Sequence, residues 1–570
     1  MQDQRRDGGH IPLRVGPLAG CLLAAVLLGC GGTDDKAAAA PTPDPPSTAD
    51  PPSMPTPPPT QPANPTPSAA TDVVTYKNDL ARTGQNLTES VLTLTNVNST
   101  TFGLLRNLAV DGKVDGQPLY LSKLMVGGAA HNVVFVVTEH ASVYAFDSDT
   151  GTMLWKVSLL GSGETTSDTH ACGQVTPEIG ITSTPVIDRG AGTNGVIYAV
   201  AMSKAGSTYH QRLHALDVTT GAEISGSPAE IAATFPTAGG GSTNFDPGQY
   251  EERAALLLVN GLLYTSWTSH CDNQPYTGWV ISFDQKTLQR NAILNIAPNS
   301  GGTGPAIWMS GGGPAADAAG NVYLLAANGA FETTLDSNGF PNKQDYGNSF
   351  LKLTGGAGTL AVADYFTMMD EVSQSNADLD LGSGGGMLLP DLTDANGSVQ
   401  HLMVGAGKDG NIYVVSRDSM GKFNSSANNI WQQLSGAVPS GIFSTPAYFN
   451  QTVYYGDNGA TLKAFPITNA KLASSPSSQS ANAFGRPGTA PAISANGSSN
   501  GIVWAHENLN PAVLHAFDAS NLAHELYNSN QAANNRDHFG VGNKFITPTI
   551  ADGKVFVGTQ TGVAVFGVIQ

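Results

Sequence analysis

One pattern, repeated along most of the chain, restricts the fold more than any other feature. Its clearest copy spans residues 142–155, where Ser-Val-Tyr-Ala-Phe-Asp is followed by Ser-Asp-Thr-Gly and then Thr-Met-Leu-Trp. Val143 and Ala145 alternate with Tyr144 and Phe146, the period-two pattern of a strand with two different faces. Asp147 and Thr150 can bond the nearby backbone, and Gly151 supplies the positive φ that a tight turn needs. A second strand opens at Leu154 and Trp155. Looser copies of this hairpin stand at residues 213–217, 279–284, 349–353, 411–415, 461–465, 513–518 and 563–566. With the first copy they make eight, roughly 50 to 70 residues apart, the spacing of a radial or solenoid array.

A second signal precedes each hairpin. A short apolar stretch, often opened by proline after a small residue, stands at Pro118, Pro185, Pro314, Pro390, Pro446, Pro491 and Pro548; the third unit has Arg253-Ala-Ala-Leu-Leu-Leu instead. Proline suits the first position of a strand, where its missing N–H removes no ladder bond. Between this stretch and the hairpin lies a β-branched or aromatic run, such as 133–137, 196–200, 322–325 or 555–557. Each unit therefore reads as a four-stranded antiparallel sheet. The whole reads as an all-β, eight-bladed β-propeller. The eighth unit ends after its third strand, so the strand-like stretch 104–110 is expected to supply the fourth and close the ring. Gly (66), Pro (35) and only 13 % charged residues agree with many short strands and turns.

The first thirty residues read as a targeting segment. Arg5, Arg6 and Arg14 precede an apolar run from Leu18 to Leu28, too short to span a bilayer as a helix. The run ends in Leu27-Leu28-Gly29-Cys30, which resembles a bacterial lipobox and implies acylation of Cys30; Gly31 after it resembles an outer-membrane sorting signal. Residues 31–72 are Pro, Ala, Thr and Ser with almost no large apolar side chains, and are expected to form a disordered tether. About 40 Pro-rich residues at about 3.1 Å each reach on the order of 120 Å. The propeller is expected over 73–570, with residues 72–96 a polar lead-in. The localisation implied is extracytoplasmic, on a membrane through the lipid on Cys30.

Net charge is −18. Phosphate backbones are repelled by such a surface, so a nucleic-acid partner is disfavoured. Once Cys21 leaves with the leader and Cys30 carries lipid, Cys172 and Cys271 remain. In an oxidising compartment two leftover cysteines most simply form a disulfide. Each has a histidine nearby, His170 and His270, so a four-ligand metal site is the alternative.

Residues 145–155 carry Ala-Phe-Asp-Ser-Asp-Thr-Gly-Thr-Met-Leu-Trp, which matches the Ala-x-Asp-x-x-Thr-Gly-x-x-x-Trp repeat of pyrroloquinoline-quinone (PQQ) propellers. The chain resembles the quinoprotein alcohol dehydrogenase-like superfamily over roughly residues 72–570, and within it bacterial PQQ-like repeat proteins. One copy matches in full; the others keep the apolar frame and lose the tryptophan. The segments leading into the innermost strands gather at one face, and several are rich in glycine, at 310–314, 378–390, 485–491 and 536–548. That mouth is the expected binding site.

A quinone cofactor needs a flat aromatic, oxygen ligands for Ca²⁺ and cations for its acid groups. Glu178, Arg253, Trp308, Asp378, Asp380 and Lys544 are the residues placed to reach the mouth. Pro177-Glu178-Ile179-Gly180 echoes the Ala-Glu-x-Gly-x-Arg-Gly stretch of quinoprotein dehydrogenases, but Thr182 and Ser183 replace the Arg and Gly. The adjacent cysteine pair of many such enzymes is missing, as is a Cys-x-x-Cys-His haem motif. Two functions follow as expectations. The first is a lipid-anchored binding or scaffold module that holds a small molecule or protein at its mouth. The second is a PQQ- and Ca²⁺-dependent dehydrogenase of an alcohol or sugar, with Asp378 or Asp380 as base, Glu178 on Ca²⁺, Trp308 stacked on PQQ, and Arg253 and Lys544 on its acid groups.

Overall fold

The computed structural model describes residues 72–569. The leader, Cys30 and the tether up to residue 71 lie outside the described residues. Eight antiparallel sheets form an eight-bladed β-propeller, with one short helix, Glu371–Asn376. In blade 1 the inner strand Leu119–Val126 is followed outward by Ala129–Val137, Ser142–Asp147 and Met153–Ser158. Asp147 Oδ1 accepts from the amides of Asp149 and Thr150 and from the Thr150 hydroxyl, at 3.0, 2.7 and 3.0 Å. Asp217, Asp284 and Asp518 cap their turns in the same way. The aspartate of the repeat is therefore turn chemistry, used in blades 1, 2, 3 and 7.

The remaining inner strands are Val186–Asp188, Leu257–Val259, Ala315–Ala316, Met387–Leu388, Ala447–Phe449, Ala492–Asn496 and Thr549–Ala551. Six of the seven prolines immediately precede one of these. Pro390 departs from the expectation, because it follows the inner strand of blade 5. Gly386 holds the preceding position, where an added Cβ would lie 2.2 Å from Met403 Cε, the flexible end of that side chain.

The ring closes as expected. Phe102–Ala109 pairs antiparallel with Gly562–Val568 as the outer strand of blade 8. Outer strands of blades 1, 3, 4 and 7 each carry one unpaired extra residue, Leu154, Asn291, Ala363 and Leu526. The N-terminal strand carries one too, Leu105. Such a bulge sharpens the twist of the sheet, so the borrowed strand takes the geometry of a native fourth strand. Phe102 fixes it in place, with ring centroids 5.3 Å from Trp504 and 5.0 Å from Tyr527 of blade 7. The second strands are buried on both faces, between neighbouring blades, which is why 133–137 reads as an unbroken apolar run; all five of its residues are at most 2 % exposed.

Residues 72–89 are not a lead-in. They enter the channel, turn, and leave at the same end. Asp72 is held by Arg189 and by the Ser122 amide and hydroxyl, both at 2.7 Å, at the far ends of the inner strands of blades 1 and 2. The backbone then bonds the inner strands in turn: Val73 with Tyr120, Val74 with Ile187, Leu80 with Ala316, Ala81 with Leu388, Thr83 with Tyr448, and Gly84 with Ile493. Asn86 reaches the Ile550 carbonyl at 2.9 Å. Blade 3 is reached by a side chain, Arg82, which donates to the carbonyls of Leu256 and of Pro314 in blade 4 at 3.3 and 2.8 Å. Lys77 Nζ donates to the carbonyls of Pro446 at 3.2 Å and of Pro491. This inserted hairpin touches every blade and satisfies inner-strand groups that would otherwise face an empty channel.

Candidate functional site

At the opposite end, the segments leading into the inner strands and several turns between second and third strands wall a pit of about 320 Å³. Tyr76 of the inserted hairpin is buried at this end of the channel, its hydroxyl 3.5 Å from Thr547 Oγ1. Gly312 and Gly385 press against Thr445 beside it; an added Cβ would sit 2.6 and 2.0 Å from Thr445 Oγ1. These two glycines serve close packing around the axis.

One wall is basic. Arg486 lies 5.6 Å above the Phe443 ring, while Arg253 and Lys544 both face Phe545, at 5.1 and 5.5 Å. Arg253 donates to Gln174 Oε1 at 3.0 Å, and its nearest carboxylate, Glu251, is 3.9 Å away. Arg486 and Lys544 make no salt bridge and no side-chain hydrogen bond with any described residue. Burial, reinforced by the charges of Arg253 and Lys113, pushes the Lys544 ammonium down to about 8. The cluster is short of negative charge.

The other wall sets one cation against two carboxylates. Lys408 Nζ lies 2.8 Å from Asp378 Oδ1 and 3.2 Å from Asp380 Oδ2. Asn328 donates its amide to Asp380 at 2.7 Å and its side chain to Asp378 at 3.0 Å. Burial holds the Asp380 carboxyl above its usual range, against the pull of Lys408. Burial also opposes the charge on Lys408, but the two carboxylates keep its ammonium above the usual value.

The rim is tied covalently. Cys172 and Cys271 form a disulfide, with Cα atoms 5.7 Å apart, joining the approach to blade 2 with a turn of blade 3. Of the two sequence alternatives, the structure builds this one. His170 and His270 stack beside it, centroids 3.9 Å apart and rings within 7° of parallel. Burial and the neighbouring His270 push His170 down to about 4, so the stacked ring is neutral at neutral pH. Among the described residues no group of three or more His, Cys, Asp or Glu side chains is arranged to hold a metal ion.

Arg253, Trp308, Asp378, Asp380 and Lys544, singled out from the sequence, all line the pit. Glu178 does not. Its carboxylate accepts from Thr166 Oγ1 at 2.6 Å and meets His140 Nδ1 at 3.0 Å. Trp308 is half-buried and also packs on the apolar core of blades 2 and 3. Arg486, Lys408, Phe443 and Phe545 were not expected; they sit in loops with no periodicity to mark them.

No protein-family model matches the chain, and no curated protein matches it in sequence. Solved structures match it in shape. The quinohemoprotein alcohol dehydrogenase from Comamonas testosteroni aligns with a TM-score of 0.58 and 14 % identity, over 87 % of this chain and 80 % of its own. The fold is that of the quinoprotein alcohol dehydrogenases. A second such enzyme, from Pseudomonas putida HK5, gives 0.56 and 13 % over the same shares. A europium-containing methanol dehydrogenase gives 0.54 and 13 %, over 88 % of this chain and 98 % of its own. Identities this low carry architecture and not chemistry, so the pit is judged on its own residues.

Those residues suit one part of a quinone site and not another. Arg253, Arg486 and Lys544 suit the acid groups of PQQ, and Trp308, Phe443 and Phe545 offer flat faces. A calcium ion does not fit between Asp378 and Asp380, because the Lys408 ammonium and the Asn328 donors already engage both carboxylates.

Proposed function

We propose that this protein is an extracytoplasmic binding module whose pit captures a small organic anion, held at a membrane through lipid on Cys30. The observation that carries the reading is the pair Arg486 and Lys544, two cations without partners among the described residues, in a chain of net charge −18. Their chemistry is point and fork recognition of carboxylate or phosphate. The aromatic rings beneath them keep the cations desolvated on one side, which strengthens attraction to a bound anion. Isothermal titration of the purified 72–570 chain with succinate, citrate, phosphate and PQQ tests it. At least one of these is expected to bind, and binding is expected to vanish in Arg486→Ala/Lys544→Ala. A flat titration for all four would remove the reading.

A second reading, a quinoprotein dehydrogenase, is favoured by the shared fold and by Trp308 beside the cations. There Arg253, Arg486 and Lys544 would hold the acid groups of PQQ, which would accept the substrate's electrons. Asp378 or Asp380 would have to give up Lys408 before taking a proton. Reconstitution with PQQ and Ca²⁺, followed by dye reduction with alcohols and sugars, separates the readings. Turnover would establish the second.

A further inference from the structure

The pit does not end at its acidic wall. A groove of about 460 Å³ continues from it, and Asp272 and Asp378 line both. The groove has no Lys or Arg among its lining residues. Its polar groups include Asp272, Gln274, Asn328, Glu371, Ser375 and Asn376, with half-buried Phe331 and exposed Val372 as apolar faces. Glu371 is 1 % exposed; Ser375 donates to its Oε1 at 2.6 Å, while Oε2 is buried with no protein partner. The pit therefore wants negative charge, and the groove beside it wants hydrogen-bond donors.

The carboxylates of the groove are partly engaged. Burial, with Asp370 nearby, pushes the Glu371 carboxyl up to about 7. Asp378 pairs with Lys408 at 2.8 Å, and Asp272 accepts the Tyr276 hydroxyl at 3.0 Å. Carboxylate acceptors interleaved with amides suit neutral hydroxyls, which each donate one hydrogen bond and accept others. An extended peptide would pair with an open strand edge, and no residue lining the groove belongs to a strand.

Resting on the reading of the pit as an anion site, we propose that pit and groove together bind an oligosaccharide whose terminal sugar carries a carboxylate. The acid residue sits on Arg486, Lys544 and Arg253, and the neutral sugars that follow lie along the groove past Asp378 toward Glu371 and Asn376.

Calorimetric titration of the 72–570 chain with five ligands tests this. They are glucuronate, a trisaccharide of one terminal glucuronate and two neutral xyloses, neutral xylotriose, inorganic phosphate, and a tripeptide whose only acid is its C-terminus. The acid trisaccharide is expected to bind at least about tenfold more tightly than glucuronate, with xylotriose not bound. Gln274→Ala/Asn376→Ala, two exposed residues without side-chain hydrogen bonds to described residues, is expected to abolish that advantage and leave glucuronate affinity unchanged. Equal affinity for the trisaccharide and glucuronate, or phosphate binding without glucuronate binding, would overturn the proposal and leave the anion pit standing. Tighter binding of the tripeptide than of the acid trisaccharide would overturn it in favour of a peptide. Silence from all five ligands would overturn the pit and the groove together.

Discussion

The channel holds two sets of cations, one buried within the ring where the inner strands begin and one lining the pit, and they differ in a single respect. Lys77 and Arg82 of the inserted hairpin are fully buried, and backbone carbonyls of blades 3, 4, 6 and 7 surround them. Arg486 and Lys544 at the mouth have aromatic rings beneath them and no acceptor among the described residues. A buried cation whose donors are all used is part of the scaffold, and removing it leaves carbonyls stranded. A cation with idle donors at the edge of a cavity contributes nothing to folding and is available to a ligand. The comparison is sharp enough to break by mutation.

The largest effect belongs to the buried set. Arg82→Ala is expected to cost about 3–5 kcal/mol in denaturant unfolding, because it strands five acceptors at once, the Thr75 hydroxyl and the carbonyls of Tyr76, Asp79, Leu256 and Pro314. A loss below about 1 kcal/mol would show that the hairpin is not the axle of the ring. Next comes the rim. Replacing both Cys172 and Cys271 with Ala is expected to cost about 2–4 kcal/mol, since the bridge closes a loop of 99 residues. Reduction that left both stability and anion affinity unchanged would disconnect the bridge from the pit.

For the mouth set the expectation reverses. Arg486→Ala/Lys544→Ala should leave unfolding free energy within about 0.5 kcal/mol of the parent while weakening anion binding at least about tenfold. Stability loss without binding loss would place these two residues with the scaffold instead. The smallest effect is one of pH. Lys544 in the free pit sits at about 8, so it sheds its proton as pH rises through that value, and a bound anion favours the protonated form. Affinity is therefore expected to fall severalfold, at most about tenfold, between pH 7 and 9. Lys544→Arg should flatten that slope, and a profile that stays steep in the variant would assign it to another group.

The sequence makes the blades legible because a strand buried on both faces writes an unbroken apolar run, and a tight turn writes Asp and Gly at fixed offsets. Closure by the N-terminal strand follows from counting, since seven units have four strands and the eighth has three. The inserted hairpin leaves no such trace. Six of the blades are bonded to it backbone to backbone, and Thr-Tyr-Lys-Asn-Asp-Leu-Ala-Arg at 75–82 looks like any polar loop. A 25-residue stretch without elements, set before a closed fold, was the available hint. At the pit, Trp308, Asp378, Asp380 and Lys544 are legible in or beside the glycine-rich segments, while Lys408 and Arg486, the latter inside 485–491, are not singled out, because a lone cation in a turn carries no period. Glu178 was drawn in by a family echo; Thr166 and His140 hold it elsewhere.

Phe102–Ala109 and its partner Gly562–Val568 stand more than four hundred residues apart, with the axle hairpin placed just ahead of the first of them. As the chain leaves a ribosome or a translocation pore, the first of these strands has to wait for the second. Seven sheets can assemble one by one on local contacts, yet the circle has no lock until residues 562–568 arrive. Deleting that one strand would leave every blade but one intact and deprive the whole of its clasp.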